Sequence, residues 1–174
     1  MNGTRMFKML LHKTGNLIDL AEEGEFDIIV HGCNCQNTMG SGIAKEIKER
    51  YPKAFKADRD FDDFYLLDSD KPYSKLGNYT QSYCGKDPYY FYIINAYTQI
   101  DYLPRGVDHF EYSSFEVILK KLSRIYPGKK FGFPYIGMGL AGGDEKRILN
   151  LLDSFAKDVT TLGGTVTLVR YEGM

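Results

Sequence analysis

Twice along this chain an apolar run of strand length passes into a glycine-rich loop and then into a segment of helical spacing. The first run is Phe26 to His31 (FDIIVH), followed by a polar loop from Gly32 to Gly42 that ends Asn37-Thr38-Met39-Gly40-Ser41-Gly42. After it, Ile43, Ala44, Ile47 and Tyr51 recur as one helical face. The second run is Lys130 to Tyr135, with the loop Gly137-Met138-Gly139-Leu140-Ala141-Gly142-Gly143 and a helical stretch from Glu145 to Leu162. Repeated strand–loop–helix order points to an α/β layer fold with parallel strands. A mostly apolar run such as Phe26 to His31 fits a strand covered on both faces.

The remaining segments fit the same scheme. Phe7 to Lys13 reads as a strand, and Thr14-Gly15-Asn16 turns it into a short amphipathic stretch, Leu17 to Glu23. Pro52 interrupts the helix after Tyr51, and a second piece follows from Ala54 to Phe64. Asn78 to Tyr83 and Tyr89 to Asn95 form a strand pair joined by Gly85-Lys86-Asp87-Pro88. Ser113 to Ile125 carries a helical apolar face closed by Pro127-Gly128, and Thr165 to Tyr171 is a last strand. No repeat or linker divides residues 1–174, so a single domain is expected, and 174 residues can bury a substantial core.

Composition removes several functions. The net charge of -1 lacks the basic excess that phosphate neutralisation on nucleic acid needs. No apolar run reaches membrane-spanning length, and Met1 to Lys13 lacks the apolar stretch of a signal peptide, so a cytoplasmic monomer is expected. The 3 cysteines are too few for a disulfide scaffold. Cys33 and Cys35 flank Asn34 without a second pair, which fits small buried hydrophobes rather than zinc ligands. Asp58, Asp60, Asp62 and Asp63 lack the glycine and terminal glutamate of a calcium loop and read as a solvated helix face. Neither metal nor cofactor is expected. The 14 tyrosines fit either an aromatic surface around a ligand or solvent-facing strand positions.

The paired loops carry the chemistry. Glycine lets backbone N–H groups converge on an oxyanion with no Cβ in the way, and the helix that follows adds the positive end of its dipole. Two such junctions can hold a diphosphate between them with little help from lysine or arginine. Gly137, Gly139 and Gly142 also match G-x-G-x-x-G, but only one strand follows them and Asp158 falls inside a helix. A dinucleotide fold needs that motif after its first strand and an acidic residue capping the second.

Val30-His31-Gly32-Cys33-Asn34-Cys35, continuing through Met39-Gly40-Ser41-Gly42-Ile43-Ala44 to Tyr51-Pro52-Lys53-Ala54, resembles the first signature of macrodomains. Pro134-Tyr135-Ile136-Gly137-Met138-Gly139-Leu140-Ala141-Gly142-Gly143-Asp144 resembles their second. With Lys13-Thr14-Gly15-Asn16-Leu17, the likeness is greatest to the branch holding ADP-ribose 1''-phosphate phosphatases and terminal ADP-ribose protein glycohydrolase. The resemblance implies a three-layer α/β/α sandwich with a mixed central sheet and ADP-ribose across the strand ends. It sets Asn16 and Leu17 by the adenine, with Tyr171 packing near them. Gly40, Ser41, Gly42, Ile43 and Ala44 would then form the first phosphate loop. Ile136, Gly137, Met138, Gly139, Leu140 and Ala141 would form the second, leaving Asn34 against the distal ribose.

His31, before the first loop, is the candidate general acid or nucleophile, and Asp144, closing the second, the candidate to orient or deprotonate a water. Asp144 also reads as a helix N-cap. Where the glycohydrolase carries a lysine this chain has Asn95-Ala96-Tyr97, which moves the expectation from covalent lysine chemistry towards a phosphatase. The alternatives are hydrolysis of O-acetyl-ADP-ribose or another ADP-ribosyl ester, and a reader that only binds ADP-ribose. The expected partner is a small-molecule ADP-ribose derivative or an ADP-ribosylated protein.

Overall fold

A computed structural model describes residues 9–36, 39–40, 42–65, 75–100, 104, 106–139 and 141–171. The strands are β1 (Leu10–Thr14), β2 (Ile28–Asn34), β3 (Tyr79–Lys86), β4 (Tyr89–Gln99), β5 (Lys130–Phe133) and β6 (Thr165–Arg170). The helices are α1 (Leu17–Glu22), α2 (Gly42–Arg50), α3 (Pro52–Tyr65), α4 (Tyr112–Ile125) and α5 (Glu145–Thr161). The strands form one six-stranded sheet in the order β1-β6-β5-β2-β4-β3. Every neighbouring pair is parallel except β3 and β4, a hairpin that leaves β3 as an antiparallel edge.

The alternation of side chains along the central strands divides the core into two layers. Ile28 and Val30 of β2, Ile94 of β4, and Phe131 and Phe133 of β5 pack with Phe115, Ile118 and Leu122 of α4 and Leu152 and Phe155 of α5. On the opposite face, Ile29, Phe91 and Ile93 meet Leu17 and Ile18 of α1, Ile47 of α2 and Ala54 of α3. Helices therefore cover both faces, giving the expected three-layer α/β/α sandwich.

Boundaries moved where the sheet extended the pairing. Strand β2 continues past His31 to Asn34 because β4 runs on to Gln99 and supplies partners. The register shifts between Cys33 and Asn34: Cys33 pairs with Tyr97 but Asn34 with Gln99, leaving Thr98 as the extra residue of a bulge. Two helices meet at Pro52 as expected, and Pro52 itself opens α3, where its missing N–H costs nothing. Segment ends at Phe7, Asn37, Thr38, Ser41 and Leu140 lie outside the described residues.

Phe133 is fully buried and stands edge-on to Phe115 and Phe155. Phe133→Ala should lower the free energy of unfolding by about 3 to 5 kcal/mol, as read by urea denaturation, because the β5 layer cannot collapse into the space.

Candidate functional site

A cleft of about 1090 Å³ runs across the carboxyl ends of the parallel strands. At the β1–β6 side it is lined by Asn16, Leu17 and Glu46, with Arg170 and Tyr171. At the β2–β4 side Cys33, Asn34, Asp58 and Gln99 form its end. Gly40, Gly42, Ile43 and Ala44 line the stretch between from one wall, and Ile136, Gly137, Met138, Gly139 and Ala141 from the other. Ser41 and Leu140 lie outside the described residues.

The glycines of the two loops have different tasks. A Cβ on Gly42, the first residue of α2, or on Gly139 would meet nothing within 4 Å, so both leave open space along the cleft. A Cβ on Gly137 would stand 2.4 Å from the Phe110 ring, and one on Gly142 would stand 2.7 Å from the Val107 carbonyl oxygen. Those two let the loop fold against its own chain. Gly42 additionally has φ +57, a left-handed backbone that other residues adopt at a cost. The G-x-G-x-x-G match is thus mostly a matter of packing, with Gly139 alone open.

Asn16 caps α1, its Oδ1 accepting from the Asp19 N–H at 2.9 Å, while its Nδ2 donates to Glu46 Oε1 at 2.9 Å. Glu46 is in turn held by Arg50 Nη1 at 3.0 Å. At the other end Asn34 Oδ1 accepts from the Gln36 N–H at 2.8 Å. The bulge in front of it brings Asn34 and Gln99 side by side into the cleft and buries Thr98, whose Oγ1 has no hydrogen-bond partner. That hydroxyl lies 3.0 Å from where a Gly32 Cβ would be, which explains glycine at position 32.

The expectation that His31 stands at the cleft mouth is corrected. Its side chain lies on the α3 side of the sheet, 1% exposed, outside the cleft lining. Its Nε2 lies 2.6 Å from Asn95 Oδ1. Asn95 spends its amide on the Ala54 carbonyl and on Thr80, so Oδ1 accepts and His31 is a neutral Nε2–H donor. Burial pushes its pKa down to about 4, against the opposing pull of Asn95 and Asp58. Asp144 also does not line the cleft: it caps α5, its Oδ1 accepting from the Arg147 N–H at 3.1 Å. Its neighbour Glu145 is the cleft residue.

Asp58 is the larger departure from expectation. Rather than lying on a solvated face, its side chain is 1% exposed at the floor of the cleft. Oδ1 accepts from Lys75 Nζ at 2.9 Å and from the Tyr97 hydroxyl at 2.8 Å, and Lys75 is itself buried. Only the helical phase of α3 could have signalled it, since Ala54, Asp58 and Phe61 fall on one face. Cys33 and Cys35 are buried and form no disulfide, and burial, helped by the charge of Asp58, pushes the Cys33 thiol well up. Among the described residues no cluster of His, Cys, Asp or Glu could hold a metal, and no helix is long and apolar enough to cross a membrane.

No family model matches the chain. It is 31% identical over 149 residues to an uncharacterised 17.5 kDa protein from the tk-vs intergenic region of Enterobacteria phage T4, covering 82% of this chain and 86% of that one. In structure it matches the macrodomain of Mycobacterium tuberculosis DarG with a TM-score of 0.71 at 18% identity, over 94% of this chain and 98% of that one. The Trypanosoma brucei macrodomain solved in complex with ADP-ribose gives 0.60 at 15% identity, over 94% of this chain and 63% of that one. The chain has the macrodomain fold. A shorter sequence match joins this macrodomain to the ADP-ribose 1''-phosphate phosphatase of Ajellomyces capsulatus, 42% identical over 48 residues. That stretch is 28% of this chain and 19% of the phosphatase.

The sequestered imidazole makes the macrodomain's stability depend on pH. The unfolded chain takes up the His31 proton near 6.5, the folded one only at about 4. Between those values the unfolded state binds more protons, so stability is full above pH 6.5 and falls by roughly 3 kcal/mol on acidification to 4. Urea midpoints across this range should show the fall, and His31→Gln should make it shallower.

Proposed function

We propose that this macrodomain binds ADP-ribose and hydrolyses a derivative at the distal ribose, with ADP-ribose 1''-phosphate as the first substrate to test. The observation that carries this reading is the pair of open glycine positions, Gly42 and Gly139, facing one cleft from two strand–loop–helix junctions. Backbone N–H groups there can meet a diphosphate, with the N-terminus of α2 adding its dipole. The ADP-ribose in the Trypanosoma brucei complex and the short phosphatase match support the same ligand. We place the adenine at Asn16, Leu17 and Tyr171, and the distal ribose at Asn34. His31 and Asp144 serve the fold and are assigned no contact with the ligand. The protein is proposed to act as a monomer on a free nucleotide or on ADP-ribosylated protein.

A second reading, hydrolysis of O-acetyl-ADP-ribose or a protein ester, is favoured by the charge of the distal end. Among the described residues the cleft-lining cation is Arg170, on the β1–β6 side away from Asn34. Among the described residues no cleft-lining guanidinium or ammonium group stands at the Asn34 end to meet a further phosphate. Turnover measured with ADP-ribose 1''-phosphate beside O-acetyl-ADP-ribose and ester-linked ADP-ribosyl protein decides between the two.

Calorimetry should find ADP-ribose binding in the micromolar range, roughly -7 to -9 kcal/mol. Gly139→Val should abolish it with the thermal midpoint kept, because the added side chain enters open cleft space rather than the chain. Wild-type affinity in that variant would remove the loop assignment. Asp144→Ala should cost about 1 kcal/mol of stability through the lost cap, leaving ADP-ribose affinity unchanged.

A further inference from the structure

A line of hydrogen bonds crosses the interior from His31 to the cleft, and each bond along it donates in the same direction. His31 Nε2–H donates to Asn95 Oδ1 at 2.6 Å, and Asn95 Nδ2 to Thr80 Oγ1 at 2.9 Å. The Thr80 and Tyr97 hydroxyls are 3.1 Å apart. Tyr97 gives its only proton to Asp58 Oδ1 at 2.8 Å, so it accepts from Thr80. Lys75 Nζ reaches the same carboxylate oxygen at 2.9 Å and the Asp58 main-chain oxygen at 3.0 Å. Everything converges on one buried carboxylate at the cleft floor, beside Cys33, Asn34 and Gln99.

Such an arrangement is costly if it serves stability alone. Burying a carboxylate with an ammonium loses hydration that their attraction repays poorly, and an apolar pair of similar volume commonly does as well. The other carboxylates of the cleft have different situations. Glu46 is shared between Asn16 and Arg50 at the β1–β6 side, and Glu145 is exposed in the first turn of α5.

We propose that Asp58 is the catalytic general base of this cleft, holding the hydrolytic water at the end lined by Asn34 and Gln99, with Lys75 and Tyr97 as positioning residues. The assignment rests on the hydrolase reading above. The slight exposure of Asp58 suits contact with one water. In the step, the water oxygen bonds to the phosphorus of the 1''-phosphate, or to the carbonyl carbon of an ester, while one of its protons passes to the Asp58 carboxylate. The bond from that atom to the ribose oxygen breaks, and its electron pair stays on the oxygen. That oxygen takes up a proton, and Asp58 returns its own to solvent, giving ADP-ribose and phosphate or carboxylic acid. Lys75 and Tyr97 hold the carboxylate turned, and the line back to His31 fixes Tyr97. This gives the buried histidine its place in the chemistry without contact with the ligand.

The test is steady-state turnover of the full chain on the three substrates, with ADP-ribose affinity measured in parallel. Asp58→Asn keeps the shape and an acceptor for Tyr97, and should lower kcat by about 10²- to 10⁴-fold with ADP-ribose affinity retained. The groups facing Asp58 are Lys75 ahead of β3, Tyr97 on β4, and Cys33 and His31 on β2. Tyr97→Phe removes a donor that turns the carboxylate, so kcat should fall while KM and ADP-ribose affinity are kept. A purely structural tyrosine would lower the thermal midpoint and leave kcat of the folded protein unchanged. Wild-type turnover in a folded Asp58→Asn overturns the proposal and leaves the hydrolase reading standing. If Asp58→Asn fails to fold, Tyr97→Phe decides: a lowered kcat at retained ADP-ribose affinity supports the base, and an unchanged kcat overturns it. A wild type that binds ADP-ribose but turns over none of the substrates overturns both.

Discussion

A sheet buried on both faces can place polar chemistry only where its strands end. In this protein β2 and β5 are covered by helices on either side, so their backbone groups are paired within the sheet and their side chains are committed to the core. What remains unpaired gathers at the carboxyl ends, where loops and helix N-termini begin. The cleft follows from that restriction. It spans the strand ends because backbone N–H groups have nowhere else to face a ligand. Glu46 at one end and Asp58 at the other are each tied to ion-pair partners.

Much of this was legible in the chain because the relevant signals are local. The apolar runs at Phe26 to Val30 and Lys130 to Phe133, the glycine loops and the helical face from Phe115 to Leu122 each declare themselves within a dozen residues. The layering of helices on a sheet then follows from the order of elements, while the mixed sheet is what the macrodomain resemblance implied. The burial of Cys33 and Cys35 was also readable, as small side chains at the end of a covered strand.

What could not be read depended on pairing across long separations. Whether His31 faces a cleft or the core is settled by strand register and by Asn95, 64 residues away. The acidic stretch on α3 looked uniform, yet Asp58 is drawn inward by Lys75 and Tyr97 while Asp60 pairs with Lys56 outside. Asp144 follows a glycine loop in sequence, yet it caps α5 and its neighbour Glu145 lines the cleft. The bulge at Thr98, which turns Asn34 and Gln99 towards one space, has no mark in composition at all.

The second loop shows that like residues in one motif can be retained under unlike pressures. Gly137 and Gly142 are required by Phe110 and the Val107 carbonyl, whereas Gly139 is required by nothing in the protein itself. Change at the first two would be felt as less folded protein in the cell, in any lineage and whatever the ligand. At Gly139 a larger residue would leave abundance untouched and alter only what the cleft admits. Among relatives, that position alone in the loop is free to drift once binding ceases to matter, so its identity reports on the ligand while its neighbours report on the fold.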